Sequence, residues 1–530
     1  MRQFTAYDVL VYNVAWSMLL IDGAAYIYLQ GPFAFPGANI PLGLLIVTLW
    51  ATPQFIAYSM LASTMPRSGG DYVWQSRILQ GSIGFTTMML MAFSLFIWVA
   101  LNGYWVTAFS SSPMFAILGT QLNNPDLVNL GIWLSTPMGI FTGTIIVNAI
   151  TFLMFLPGIT PGLKSGRYGF WLVVIGMIVL TFQLGFYNHT DFVTSYNAFM
   201  VKLDSSQPNY YQLVIDTAAA NGFNPNQPFN WFDTLGVMPL AWLVLAWPMW
   251  VFLNLGEVKG AESLKRMSAL TLGSLWLCGI FLIIWGWEVV NLAGWAFLGS
   301  AGYVYFYGPY FTTPFYFPIA PWFMNLAAIM GPSPIPGLLI GLGAMAIGLW
   351  ECWVNYVGGS RIMLAASLDR ALPEWFGRIG RRFRQLVNVG IVYLIMGLVV
   401  GYFYDFTVFY QYTVYASMVS SIFQWFTMLA AIIFPFRAHM KDVWRTSPAS
   451  KYLLAGIPII SLCGAIGLGL QTVLIWYEVT VTNLFINSPP SLAVMASLIV
   501  ALFAYWWIVY AYWKRKGLDL SLAYREVPPM

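Results

Sequence analysis

Twelve apolar stretches run through this chain, each near the roughly 20 residues a helix needs to cross about 30 Å of hydrocarbon. They cover about residues 9–30, 40–65, 83–110, 136–157, 169–187 and 233–256, then 269–293, 333–367, 387–404, 407–434, 453–478 and 491–513, and are numbered runs 1 to 12 in chain order. Period-2 alternation is absent, which argues against a β-barrel. The reading is therefore an all-α polytopic membrane protein with twelve transmembrane helices. Composition agrees: 8% of residues are charged, against about 25% in soluble domains, while 59% are hydrophobic and 18% aromatic. So few charges cannot cover a globule of 530 residues with a water-facing surface, which excludes a soluble enzyme, a nucleic-acid binder and a disordered chain. Run 1 has Arg2 before it, as a signal peptide would, but it is too long for a typical apolar core of one and reads as a retained span. Cys278, Cys352 and Cys463 all fall in apolar runs, so neither a disulfide framework nor a cysteine metal site is expected, and no cofactor.

Cations orient the chain. With the N-terminus in the cytoplasm, one set of loops holds Arg2, Arg67, Arg77, Lys164, Arg167, Lys259, Lys265 and Arg266. The same set continues with the arginines from Arg361 to Arg384, then the cations from Arg437 to Lys451 and from Lys514 to Arg525, so that of 23 Lys and Arg only Lys202 lies outside. This is the positive-inside pattern, and it places both termini in the cytoplasm of a multi-pass plasma-membrane protein. Two outer loops are large. Residues 188–232 are polar, with Asn188-His189-Thr190 as a weak glycosylation signal. Residues 294–332 pack eleven aromatics between Tyr303 and Phe323, too broken to span and too apolar for open water, which reads as an interfacial belt or as a lid over a pathway.

A charge at mid-membrane costs ~2.5–3.5 kcal/mol on insertion scales, so each needs a reason. Asp22 lies in the middle of run 1 beside Gly23, a poor helix-forming pair, and the helix is expected to break there, which is tolerated at depth only where backbone lines a cavity or is buried in protein. Glu351 sits midway along run 8, with Asn355 four residues on and on the same face. A buried carboxyl favours its protonated form, which fits a proton carrier. Asn102, with Gly103, lies in the outer half of run 3. Glu288 and Glu478 fall near outer run ends and read as interfacial, and Glu257 at the inner end of run 6 is expected to face loop cations. Pro248, in Trp247-Pro248-Met249, is expected to break run 6. Interrupted helices at matching positions of two halves are the sequence signature of a transporter site.

Three motifs, in order and in matching loops, resemble the amino acid–polyamine–organocation superfamily of transporters, in its amino acid permease form. Pro66-Arg67-Ser68-Gly69-Gly70-Asp71-Tyr72-Val73 looks like its P-x-x-G-G-x-Y segment, and Gly256-Glu257-Val258-Lys259 like the acidic-basic segment after span 6. Ser360-Arg361 with Asp369-Arg370-Ala371-Leu372-Pro373 looks like the run that closes span 8. The resemblance implies a leucine-transporter-like fold: a first inverted repeat over 1–187, the outer loop 188–232, a second repeat over 233–434 that includes 294–332, peripheral helices over 435–513 and a cytoplasmic tail over 514–530. It implies secondary transport of amino acids or related amines by alternating access in the lipid bilayer, and no enzyme activity.

By the same resemblance, substrate contacts fall at Ile21, Asp22, Gly23, Ala24 and Ala25, at Trp247, Pro248 and Met249, and at Asn355, with Asn102 a further candidate. Asp22-Gly23-Ala24 stands where the family has G-S-G, which leaves room for a cationic or amine substrate. Proton-coupled members often carry a Lys on span 5, and residues 169–187 have none; for sodium, run 8 offers only Ser360 in Gly358-Gly359-Ser360. The coupling ion is read as a proton carried by Asp22 or Glu351. A non-transporting nutrient sensor or a channel on the same fold is the alternative. The major-facilitator fold fits less well, because only twelve residues, 257–268, separate runs 6 and 7. No HExxH, paired-aspartate or Ser-His arrangement points to an intramembrane enzyme.

Overall fold

The computed structural model describes residues 2–14, 17, 22–205, 207–380, 385–407, 416–485 and 487–525, with the backbone alone at 22 and 416. Among them the chain is helical apart from a two-residue antiparallel hairpin, Leu453–Leu454 with Ile457–Pro458. An apolar chain in lipid must satisfy its backbone polar groups internally, and the helix does so within each segment. Ten helices are long and apolar enough to cross a membrane, and they coincide with runs 2–5 and 7–12.

Runs 1 and 6 are the exceptions among the described residues. Run 1 is represented by two helices, Ala6–Val14 and Asp22–Ala34. Run 6 is helical over Trp231–Leu245 and then stops. Pro248 has no N–H to donate, its ring would strike the carbonyl of Val244, and it turns Trp247 away from helical geometry. The chain passes Trp247–Met249 as a turn and resumes as two short 3-10 segments, Trp250–Leu253 and Leu255–Glu257. The expected break at Pro248 is therefore present, and the remainder of the run is 3-10 rather than α-helix.

Two boundaries, those of runs 3 and 5, differ from the sequence reading. Run 3 continues to Gln121, beyond the expected end near 110, by passing through a π-helical turn at Trp105–Ser111. Such turns insert a residue into the hydrogen-bond ladder and often mark functional positions. Run 5 begins at Ile159, ten residues earlier than the hydropathy placed it, so Lys164 and Arg167 lie within its helix. Run 10 is described as helix from Ala416.

Burial sorts the helices into core and rim. The most apolar window of run 3 is 83% buried and that of run 12 only 11%, so run 3 is the axis of the bundle and run 12 its lipid-facing edge. Run 8 packs along run 5 and run 3 along run 10; run 8 also meets run 4 as run 3 meets run 9. Runs 2 and 7, 3 and 8, and 4 and 9 pack on each other, and the helix Asp22–Ala34 lies against Trp231–Leu245. Small residues let these axes approach. A Cβ on Gly162 would lie 2.1 Å from the Trp353 ring, and one on Gly279 2.6 Å from Thr48.

Candidate functional site

The break in run 6 lies in the interior. Trp247 is 1% exposed, Met249 is buried and Pro248 with them. Without the α-helical ladder this stretch holds its shape through aromatic packing. The Trp247 ring stacks on Trp250 at 4.9 Å and meets Trp98 of run 3 edge-on at 5.6 Å, and Trp98 meets Trp105 at 5.0 Å. Buried indole N–H groups almost always find an acceptor. Among the described residues those of Trp98, Trp247 and Trp250 have none.

Other buried polar atoms near the break share this condition. Asn102 gives its Nδ2 to the Trp98 carbonyl at 2.9 Å, while its Oδ1 has no partner among the described residues. Asn355 is fully buried, and neither of its amide atoms has one. Asn355 and Glu351 lie on the same face of run 8 as Gly358, spaced four and seven from Glu351. At Gly358 the absence of a Cβ admits Leu253 and Trp250, whose atoms would sit 3.0 and 3.3 Å from one. That face is therefore turned to the 3-10 part of run 6, and Glu351 is buried on it. Asn13, which the sequence did not single out, ties run 1 to run 6: its Oδ1 accepts the Val251 N–H at 3.3 Å. Its Nδ2 has no partner among the described residues. Beside it, the Tyr12 hydroxyl accepts from the Asn254 Nδ2 at 3.1 Å, a second polar contact between the same two runs.

Of the other expected site residues, Ile21 lies outside the described residues, as does the side chain of Asp22. Gly23, Ala24 and Ala25 are buried at the start of the described helix Asp22–Ala34, and residues 18–21 before it lie outside the described residues. A cavity of about 10 Å³, the room one water needs, borders Trp247, Met249 and Trp250 together with Asp71, Met88, Met91, Leu253 and Phe423.

One end of the bundle is closed by charge and glycine. The three sequence motifs, around Gly69, Glu257 and Arg361, meet there. Gly69, at φ +93°, donates its N–H to the Leu253 carbonyl at 2.9 Å, and a Cβ on Gly70 would stand 2.5 Å from the Phe252 oxygen. Larger residues could not dock this loop on the 3-10 segment. Glu257 pairs with Arg361 at 2.7 Å, as expected of an acid facing cations, and Arg361 also reaches Gln385. Arg77 grips Asp369 with two hydrogen bonds of 2.5 and 2.7 Å, both side chains almost fully buried. Arg167, which the sequence placed in a loop, pairs from the first turns of run 5 with Asp8. Asp71 of the first motif accepts from the hydroxyls of Tyr58 at 2.8 Å and Thr427 at 2.6 Å, and burial pushes its carboxyl up to about 6.

The opposite end is closed by rings. Residues 294–332 fold inward: Trp322 is 1% exposed and touches Phe109 at 4.4 Å, Tyr305 at 4.9 Å and Tyr26 at 5.7 Å. Tyr26 belongs to Asp22–Ala34 and Phe109 to the π-turn, so the Trp322 part of the segment packs on the inner helices, while Tyr310 and Tyr316 of the same segment stay exposed. Glu478 corrects the sequence reading: expected at the interface, it is fully buried against run 10. Proximity to a helix end says how deep a residue lies but not whether protein or lipid covers it. No protein-family model matches this chain, and a search of curated proteins finds no match to it.

Proposed function

We propose that this protein is a secondary active transporter of the amino acid–polyamine–organocation type, moving amino acids or related amines across the plasma membrane by alternating access and driven by protons. The observation that carries the reading is how the helices pair, with run 6 broken at Trp247–Met249. Runs 2 and 7, 3 and 8, and 4 and 9 pack on each other, five apart. Adding five to a run number also exchanges the packing partners: run 8 with run 5 answers run 3 with run 10, and run 8 with run 4 answers run 3 with run 9. That correspondence supports two inverted repeats, runs 1–5 and 6–10, in a leucine-transporter-like fold of twelve spans with both termini in the cytoplasm.

In this reading the substrate lies between run 1 and the run 6 break. Residues 21–25 of run 1 receive its carboxylate, the freed carbonyls beside Trp247–Met249 receive its amine, and Asn102 and Asn355 supply buried polar atoms that have no partner among the described residues. The indole faces of Trp98 and Trp247 favour an organic cation. Asp22 or Glu351 carries the coupling proton. Both ends being closed matches an occluded stage of the cycle.

The test is uptake of radiolabelled amino acids and amines into proteoliposomes under an imposed proton gradient. Saturable, trans-stimulated uptake that Asn355→Leu abolishes is expected. Flux that never saturates would mean a channel, and binding without uptake a sensor. If Asp22→Asn and Glu351→Gln both keep gradient-driven uptake, the proton assignment to these two residues is wrong.

A further inference from the structure

Leading away from the run 6 break, a second set of buried polar groups has no use in the scheme above. Along the helix of run 10, Ser417, Ser421, Gln424 and Thr427 recur at intervals of four, three and three, and so line one face. All four are buried. They extend over about 15 Å of helix, half of a ~30 Å hydrocarbon layer. Run 11 packs along this helix and presents Gln471 and, seven residues on, Glu478. Run 2 adds Gln54, whose Nε2 donates to Gln424 at 2.5 Å and whose Oε1 accepts from Gln471 at 2.9 Å. The file thus has a carboxyl at each end. Glu478 lies at the aromatic end, where the residues after run 11 place Phe485 against Phe306 and Phe33. Asp71 lies at the basic end, bonded to Thr427 and lining the cavity against Trp247, Met249 and Trp250.

Amide networks in protein interiors are normally complete. This one is open at its glutamines: Gln424 Nε2 and Gln471 Oε1 are buried and have no hydrogen-bond partner among the described residues. At the aromatic end the hydroxyls of Ser417 and Ser421 lie beside the buried Glu478 carboxyl. Buried polar atoms left open in this way are what ordered internal waters bind. Among the described residues, no charged side chain acts on either carboxyl. Tyr58 of run 2 and Thr427 of run 10 face Asp71, with Met88 and Met91 of run 3 and Trp250 of run 6 around it. Arg77 on its own helix is held by Asp369. Ser417 and Ser421 of run 10 face Glu478; Asp233 of run 6 acts on the neighbouring Tyr477 and holds the Gly37 N–H at 2.8 Å.

We propose that runs 2, 10 and 11 enclose a file of water that carries protons between Glu478 and Asp71, separate from the substrate site. A proton leaves the Glu478 carboxyl, passes by hops between waters held by the glutamines and serines, and converts the Asp71 carboxylate to the acid. The amides position the waters and do not themselves exchange the proton. Asp71 is thereby the carboxyl that reports protonation to the run 6 break. This deepens the proton-coupling part of the proposed function and rests on it for its purpose.

The test needs no substrate. Full-length protein is reconstituted with the aromatic end outward and a pH jump is applied outside only, while infrared spectroscopy follows the C=O stretch of protonated carboxyls. Asp71→Asn and Glu478→Gln assign the two bands. The Asp71 band is expected to respond in the wild type and at least tenfold more slowly in Gln471→Leu and in Glu478→Gln, with its midpoint unmoved; Glu478→Asp restores the rate. Should Gln471→Leu not fold, Ser421→Val carries the same expectation. A wild-type Asp71 band that ignores the outside jump, or one equally fast in the blocked variants, overturns the file. Loss of gradient-driven uptake with the band response intact would instead overturn the carrier reading and leave the file standing.

Discussion

The two ends of this bundle are shut by different physics. At the basic end a few directional contacts do it: Arg77 with Asp369, Arg361 with Glu257, and a glycine pair docked on the 3-10 segment. At the aromatic end Trp322, Phe109, Tyr26, Tyr305 and Phe306 close by area, with ring contacts worth about 0.5–1.5 kcal/mol each beyond burial. A charge pair fails as a unit when one partner is lost, because the other is left buried and uncompensated. A ring cluster yields by degrees, since rings can slide and repack. The basic end is therefore the one that loss of a single charge disrupts, and the aromatic end the one whose packing is insensitive to charge.

Four experiments sharpen or break this contrast. Arg77→Ala strands Asp369 in the interior and should cost about 3–5 kcal/mol, read by chemical unfolding in micelles; a loss below about 1 kcal/mol would mean the basic end is not held by charge. Trp322→Ala should cost about 3 kcal/mol and, unlike Arg77→Ala, should leave the dependence of stability on pH unchanged. Asp71 gives that dependence its sign. Its folded-state carboxyl titrates near 6 and its unfolded one near 3.9, so between those values the folded protein binds a proton that the unfolded chain does not. Stability should rise by about 2 kcal/mol as pH falls from about 6 to about 4, and Asp71→Asn should flatten the curve; a wild-type curve that falls over this window would contradict the buried acid. The smallest effect belongs to Arg167→Gln. Arg167 is 42% exposed in its pair with Asp8, so the loss should stay below about 1 kcal/mol and fade in about 1 M salt, whereas the Arg77 effect should persist there.

Some of this was legible residue by residue. The break at Pro248 was expected from a residue that removes a backbone donor, although Pro32, Pro53 and Pro239 lie inside continuous helices, so the surroundings decide which proline ends one. At Gly69 and Gly70 only residues without a Cβ fit the docked loop. Glu257 was expected to meet cations and does. The π-turn at Trp105–Ser111 left no mark in hydropathy, since a ladder with one extra residue has the same apolar content as one without. The start of run 5 was misplaced because Lys164 and Arg167 lower the local hydropathy while their helix continues. Trp98 could have been noticed, four residues before Asn102 on one face, but many tryptophans of a membrane protein lie at interfaces, and none of its neighbours in sequence distinguishes it.

What the amino-acid sequence determined alone is the all-helical, membrane-spanning character and ten of the twelve expected membrane-length helices, because desolvation of the backbone acts within each run. What tertiary structure decided is which polar groups meet. Gln54, Gln424 and Gln471 come from runs 2, 10 and 11, and Glu478 is buried by helices that hydropathy cannot position. Hydropathy reports depth along the membrane normal. Only packing sets the rotation of each helix about its own axis, and that rotation separates a side chain in lipid from one in a buried polar file.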